Sequence, residues 1–243
     1  MIISENSPFR KLPLLDRKTS LFLDGIRYSI EMADLAYSRL YSVLCKKTFT
    51  VLNQESSSTE DQIKTHIDHY EHVSIFLDAW SVIDSVHRLR ELLLFAPFIK
   101  GGEGFDTFKQ YTEKITLLRN TIQHLRGKID TMVKHKFPIV GVLTWLYVPD
   151  PDKKIGYSCT LLAGTIFKDL KMSCLNPSSS NRKLMIPLDL ITLNANEYSI
   201  CLSDVMLHIE QITGIMELQL KNQFKNLPNA GSDIFLCLHF KWD

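Results

Sequence analysis

The hydrophobic period of this chain changes once, near Phe137, and that change limits what it can fold into. Upstream, apolar residues return every three or four positions, which places them on one side of a helix. Downstream they alternate or cluster in β-branched runs, as strands require. At 243 residues the chain suits one large domain or two small ones. The change of period puts the expected boundary between a helical bundle over 1–136 and a second unit over 137–243. The predicted class is therefore α+β: an antiparallel N-terminal bundle, then a mainly antiparallel sheet with one long helix.

A first helix is expected over Leu21 to Leu52, with Ile26, Ile30, Ala33, Tyr37, Leu40 and Leu44 inward. The polar break from Glu55 to Thr59 ends it, and Ser58 with Asp61 has capping-box spacing for a second helix. That helix runs to Phe95 and is stopped by Pro97. It carries two apolar rows, Tyr70–Val73–Leu77–Trp80 and Ile75–Val82–Val86–Leu89–Leu93, which predicts a central position in the bundle. After Gly101, Gly102 and Gly104, a third helix is expected on the stripe Phe108, Tyr111, Ile115, Leu118, Ile122, Leu125, Ile129 and Met132.

Strands are expected over Ile139–Val148, Tyr157–Phe167, Met185–Leu193, Glu197–Leu202 and Ile234–Trp242. Ser203 and Asp204 open the long helix, 203–225, which either completes an α+β unit or docks on the bundle.

Composition narrows the function classes. A net charge of +1 gives no global polyanion signal, so any nucleic-acid surface must be a local patch. Met1 to Leu15 lacks the apolar run of a signal peptide, and the longest apolar stretch, Pro138 to Val148, is too short to span a bilayer. Five widely spaced cysteines without a C-x-x-C argue for reduced thiols. The expected setting is cytoplasmic, without membrane contact. The chain has no P-loop, Gly-x-Gly-x-x-Gly or Gly-x-Ser-x-Gly, which disfavours NTPase, Rossmann and α/β-hydrolase chemistry.

The chemistry-bearing motif is Arg119-Asn120-Thr121-Ile122-Gln123-His124 on the third helix. Asn120 and His124 are four residues apart and share a face turned away from the apolar stripe, with Arg119 on its flank. An Arg followed by Asn and, after three more residues, His on a helical bundle resembles the HEPN superfamily. The stretch Ala79 to Leu94 is similar to the preceding helix of bacterial members. The resemblance covers Leu21 to Lys136.

It implies a metal-independent endoribonuclease needing no cofactor, with Arg119, Asn120 and His124 catalytic and two copies meeting across a homodimer interface. It also implies a toxin or defence setting, with RNA as substrate and an antitoxin-like protein as a further partner. The alternative it leaves open is a non-catalytic HEPN scaffold that binds RNA, nucleotide or a partner protein.

The residue types fit the chemistry. Cleavage of RNA by its own 2′-hydroxyl needs a base that titrates near neutrality, which is histidine. Charge accumulates on the phosphoryl oxygens, and arginine offers a planar donor fork. Arg126, Lys128, Lys134 and Lys136 form a cationic stretch suited to an RNA backbone. They equally suit the negative end of a helix, whereas for the motif face plain solvation is the less favoured alternative.

Two other clusters compete. His66, His69 and His72 diverge by about 60° per three-residue step, which makes a metal site less favoured than a solvated face. Asp84, His87, Arg88 and Glu91 have spacings for a salt-linked network on the second helix.

Overall fold

The computed structural model describes residues 1–54, 69–96, 99, 101–135, 138–150, 152, 155–162, 184–224, 230–231, 233–237 and 239. Helix α1 spans Arg17–Gln54, beginning where the Asp16 carboxylate accepts a 3.0 Å bond from the Thr19 N–H. Its inward stripe of Ile26, Ile30, Ala33, Leu40 and Leu44 is buried. Helix α2, His69–Phe95, runs back along it. Lys47 pairs with Glu71 at one end of this hairpin, and Gly25 faces Leu92 at the other. A Cβ at Gly25 would stand 3.0 Å from Leu92 Cδ1, so the absent side chain lets the helices close.

Only one of the two apolar rows of α2 is covered. Ile75, Val82, Val86, Leu89 and Leu93 are buried, while Tyr70, Val73 and Leu77 face solvent. Trp80, half-buried, donates its indole N–H to the Val140 carbonyl at 3.1 Å. The expectation of a helix covered on two sides is corrected accordingly. The predicted capping box of Ser58 and Asp61 lies outside the described residues.

The third predicted helix is three helices: α3 Glu103–Tyr111, α4 Glu113–Gln123 and α5 Leu125–His135. At the first break the Ile115 N–H reaches Thr112 instead of Tyr111, and Arg90 of α2 donates to the Lys109 carbonyl at 2.6 Å. At the second break the Gly127 N–H bonds His124, three residues back. The stripe divides with the helix: Phe108, Ile115, Leu118 and Met132 are buried, but Ile129 is exposed.

Four antiparallel strands follow: β1 Val142–Asp150, β2 Ile155–Leu162, β3 Leu188–Ala195 and β4 Tyr198–Cys201, in spatial order β2-β1-β3-β4. Lying between two strands, β1 is buried from Leu143 to Tyr147, the burial expected of its unbroken apolar run. Gly141 enters it at φ +91°, where a Cβ would press within 2.5 Å of the Asn194 carbonyl oxygen. The fold is α+β.

Helix α6, Leu202–Gln223, contacts α1, α3 and β3. The Ser203 hydroxyl pins its start, accepting 3.0 Å bonds from the Tyr37 hydroxyl on α1 and the Ile191 N–H on β3. One buried apolar cluster runs through Ile26, Val86, Leu143, Leu193 and Ile209, so helices and sheet share a core.

Beyond α6 the expected closing strand over Ile234–Trp242 is not present among its described residues, 234–237 and 239. Asp233 accepts from both terminal guanidinium nitrogens of buried Arg27, at 2.8 and 2.7 Å, and from the Tyr28 hydroxyl at 2.7 Å, which ties Asp233 to α1, while Ile234, Phe235 and Leu236 beyond it are exposed.

Candidate functional site

The motif occupies the C-terminal half of α4. Leu118 and Thr121 turn inward and are buried, which fixes the helix by its apolar side and turns the opposite side outward. Asn120 and His124 are exposed. His124 closes the helix, its N–H bonding the Asn120 carbonyl at 3.0 Å. The imidazole thus sits at the joint between α4 and α5, on the same outward face as Asn120.

Arg119 points sideways toward α2. Its Nε donates to Asp84 Oδ1 at 2.9 Å, and its side chain retains 27% exposure. Arg88 holds the other carboxylate oxygen of Asp84 at 2.8 Å. Asp84 is therefore flanked by two guanidinium groups. Partial burial raises its carboxyl, but the bonds and charges of Arg119 and Arg88 outweigh this and hold it below the ordinary value of 3.8. Nε gives the side-chain hydrogen bond of Arg119 that is seen among the described residues.

His87 completes the cluster. Its Nδ1 lies 3.4 Å from the Thr116 hydroxyl, one turn before Asn120 on α4. Burial and the neighbouring Arg119 charge push the imidazole below its ordinary 6.5, opposed by Glu91 and Asp84. His87 is therefore a neutral base near pH 7 and sits beside the motif arginine. The sequence placed Asp84, His87, Arg88 and Glu91 in one network on α2 and favoured plain bundle electrostatics over a supporting role beside the motif; the Arg119–Asp84 pair joins the network to the motif. Thr116 was missed altogether; its only signal was its position three residues before Arg119.

The predicted cationic stretch maps to α5. Arg126 and Lys134 are exposed and Lys128 is half-buried, and none of the three enters an ion pair among the described residues. Lys136 lies outside the described residues, as do His66 and the side chain of His69. Among the described residues no group of three or more His, Cys, Asp or Glu could hold a metal ion. Nor is any described helix long and apolar enough to cross a membrane.

A cavity of about 350 Å³ lies on the opposite flank of α4, where Tyr111 and Lys114 face the β4 residues Ser199 and Cys201. Lys114 lies about 140° around the helix from Arg119 and ten residues, about 15 Å along the axis, before His124, so this cavity and the motif are separate places.

Comparison with protein-family models, curated proteins and solved structures finds no match for this chain.

Proposed function

We propose that this chain is a metal-independent endoribonuclease of HEPN type, acting as a homodimer in a toxin or defence role. The observation that carries this reading is the pose of Arg119. Asp84 accepts from its Nε, and the terminal N–H groups, which donate no hydrogen bond among the described residues, are left for a phosphate; exposed Asn120 follows it directly and exposed His124 stands five positions on. In the proposed reaction His124 takes the proton from a ribose 2′-hydroxyl, whose oxygen attacks the adjacent phosphorus. Arg119 bears the charge that grows on the phosphoryl oxygens. The 5′-oxygen leaves with a proton from a second group, and the products are a 2′,3′-cyclic phosphate and a 5′-hydroxyl. Arg126, Lys128 and Lys134 would carry the flanking backbone.

Two sources for the second proton-handling group exist: His124 of another copy, and His87 of the same chain. The need for two imidazoles therefore does not by itself require a dimer. The dimer rests instead on the surface. Tyr70, Val73 and Leu77 are 83%, 54% and 60% exposed on α2, and their row leads along that face to Asp84 and Arg88. A two-fold burying this row would bring two motif regions together.

The same ion pair supports a second reading. With Asp84 partly neutralising Arg119, the patch also suits a scaffold that binds RNA, nucleotide or protein without cleaving. Single-stranded RNA incubated with the protein in EDTA separates the two. Cleavage to a cyclic phosphate, lost by about two to four orders of magnitude in His124→Ala and Arg119→Ala, is expected of the enzyme. Binding without cleavage would instead establish the scaffold. Cleavage that needs Mg²⁺, or that survives both substitutions, rejects the ribonuclease assignment.

A further inference from the structure

At the end of the hairpin away from the Lys47–Glu71 pair lies a shallow, open trough of about 470 Å³ lined by Arg17, Lys18, Leu21 and Phe22 of α1 and Leu92 of α2. Arg17, Lys18, Leu21 and Phe22 stand at helical spacing on one side of α1. Leu21 is 61% exposed, and Phe95, one turn beyond Leu92 on α2, is 71% exposed. The floor is apolar and the rim is cationic.

The rim charges are uncommitted. Among the described residues neither Arg17 nor Lys18 has an ion-pair partner. The nearby acids are engaged elsewhere, Asp16 with the Thr19 N–H and Asp24 with Arg27 at 3.7 Å. We infer that this trough is a docking site for a protein partner, which lays an amphipathic segment with acidic flanks across it. Apolar side chains of that segment fill the space over Leu21, Phe22 and Leu92, and its carboxylates meet Arg17 and Lys18.

Other occupants fit less well. A second copy placed here by a two-fold would set Arg17 and Lys18 against themselves, a like-charge contact. An anionic bilayer is recognised by clusters of roughly four to eight cations, whereas only two border this surface. A segment laid in a groove with apolar anchors at helical spacing matches both the shape and the charge. This site stands apart from Arg119 and His124 and does not depend on the ribonuclease reading.

The test uses the full chain and a displayed library of amphipathic helical peptides, randomised at the anchor and flanking positions. Selection should enrich leucine or aromatic anchors flanked by Glu or Asp. The selected peptides should lose at least about tenfold in affinity for Leu21→Glu and for the double variant Arg17→Glu, Lys18→Glu, with most of the second loss disappearing at high salt. They should bind Phe49→Glu, altered at an exposed site far along α1, as well as the parent. Thermal unfolding of each variant confirms that it is folded. No enrichment, enrichment of basic or neutral flanks, or peptides indifferent to all the trough variants would overturn the proposal. So would phosphatidylserine vesicles that sediment the protein and displace the peptides.

Discussion

His87 is the residue whose surroundings make the most specific demand. Burial and the Arg119 charge favour its neutral form, so the unfolded chain binds more protons than the folded one just below pH 6.5. Stability from this group is complete above the unfolded value and is lost as pH falls through the lower folded value. The imidazole signal of His87, followed by NMR, should titrate below 6.5 and move upward in Arg119→Ala, which removes a repelling charge. In a pH series of denaturant unfolding, His87→Gln should lose less stability than the parent between neutral and mildly acidic pH. A midpoint unchanged by Arg119→Ala would mean that the two side chains are not neighbours in solution.

Asp233 makes the second demand at this scale. Arg27 and Tyr28 hold its carboxyl far below the usual carboxylate range, through hydrogen bonds first and charge second. The pair should therefore persist into strongly acidic solution. Asp233→Ala would leave the Arg27 guanidinium, whose side chain is only 3% exposed, without its bidentate partner. The expected outcome is a lower melting temperature, together with faster limited proteolysis after residue 230, read by mass spectrometry. Unchanged cleavage would show that the segment is held by something else.

Among the elements, α4 is divided sharply between a structural and a chemical side. Leu118 is fully buried, and Leu118→Ala should cost roughly 2–5 kcal/mol in denaturant unfolding by transfer and cavity terms together. Asn120 and His124 are exposed on the opposite side, and alanine there should change stability by no more than about 0.5 kcal/mol. A large loss from His124→Ala would mean that the joint between α4 and α5 depends on the imidazole. The motif would then be structural.

At the scale of the whole molecule, the surface decides assembly. The row Tyr70–Val73–Leu77 precedes Asp84, the partner of Arg119, on one face of α2, and the proposed homodimer buries it. Light scattering at micromolar concentration should give twice the chain mass, and Leu77→Glu should return the mass to that of one chain. A monomeric parent would remove the support for a shared site and leave His87 as the nearest second imidazole.

What the sequence determined by itself is what depends on local periodicity. The 3.6-residue stripe of α1, the alternation and buried run of β1, the turn into α6 at Ser203 and the α+β class all follow from neighbours a few positions apart. The outward placement of Asn120 and His124 follows in the same way, because their angle to Leu118 is set by the helix. The tertiary structure decided whatever joins distant parts of the chain. Nothing local marks Thr112 and Gly127 as places where a continuous stripe breaks into three helices. Nor does periodicity tell which apolar row of α2 will be covered, since that depends on where α1 and α4 lie. The Ile234–Leu236 stretch is apolar like a strand, yet it pairs with none of the four strands among the described residues, and the residue before it, Asp233, bonds Arg27 206 residues away in sequence. Arg119 meets Asp84 across 35 residues. Pairings at such separations carry no sequence spacing to betray them, because they arise from helix packing and not from the order of residues within one element.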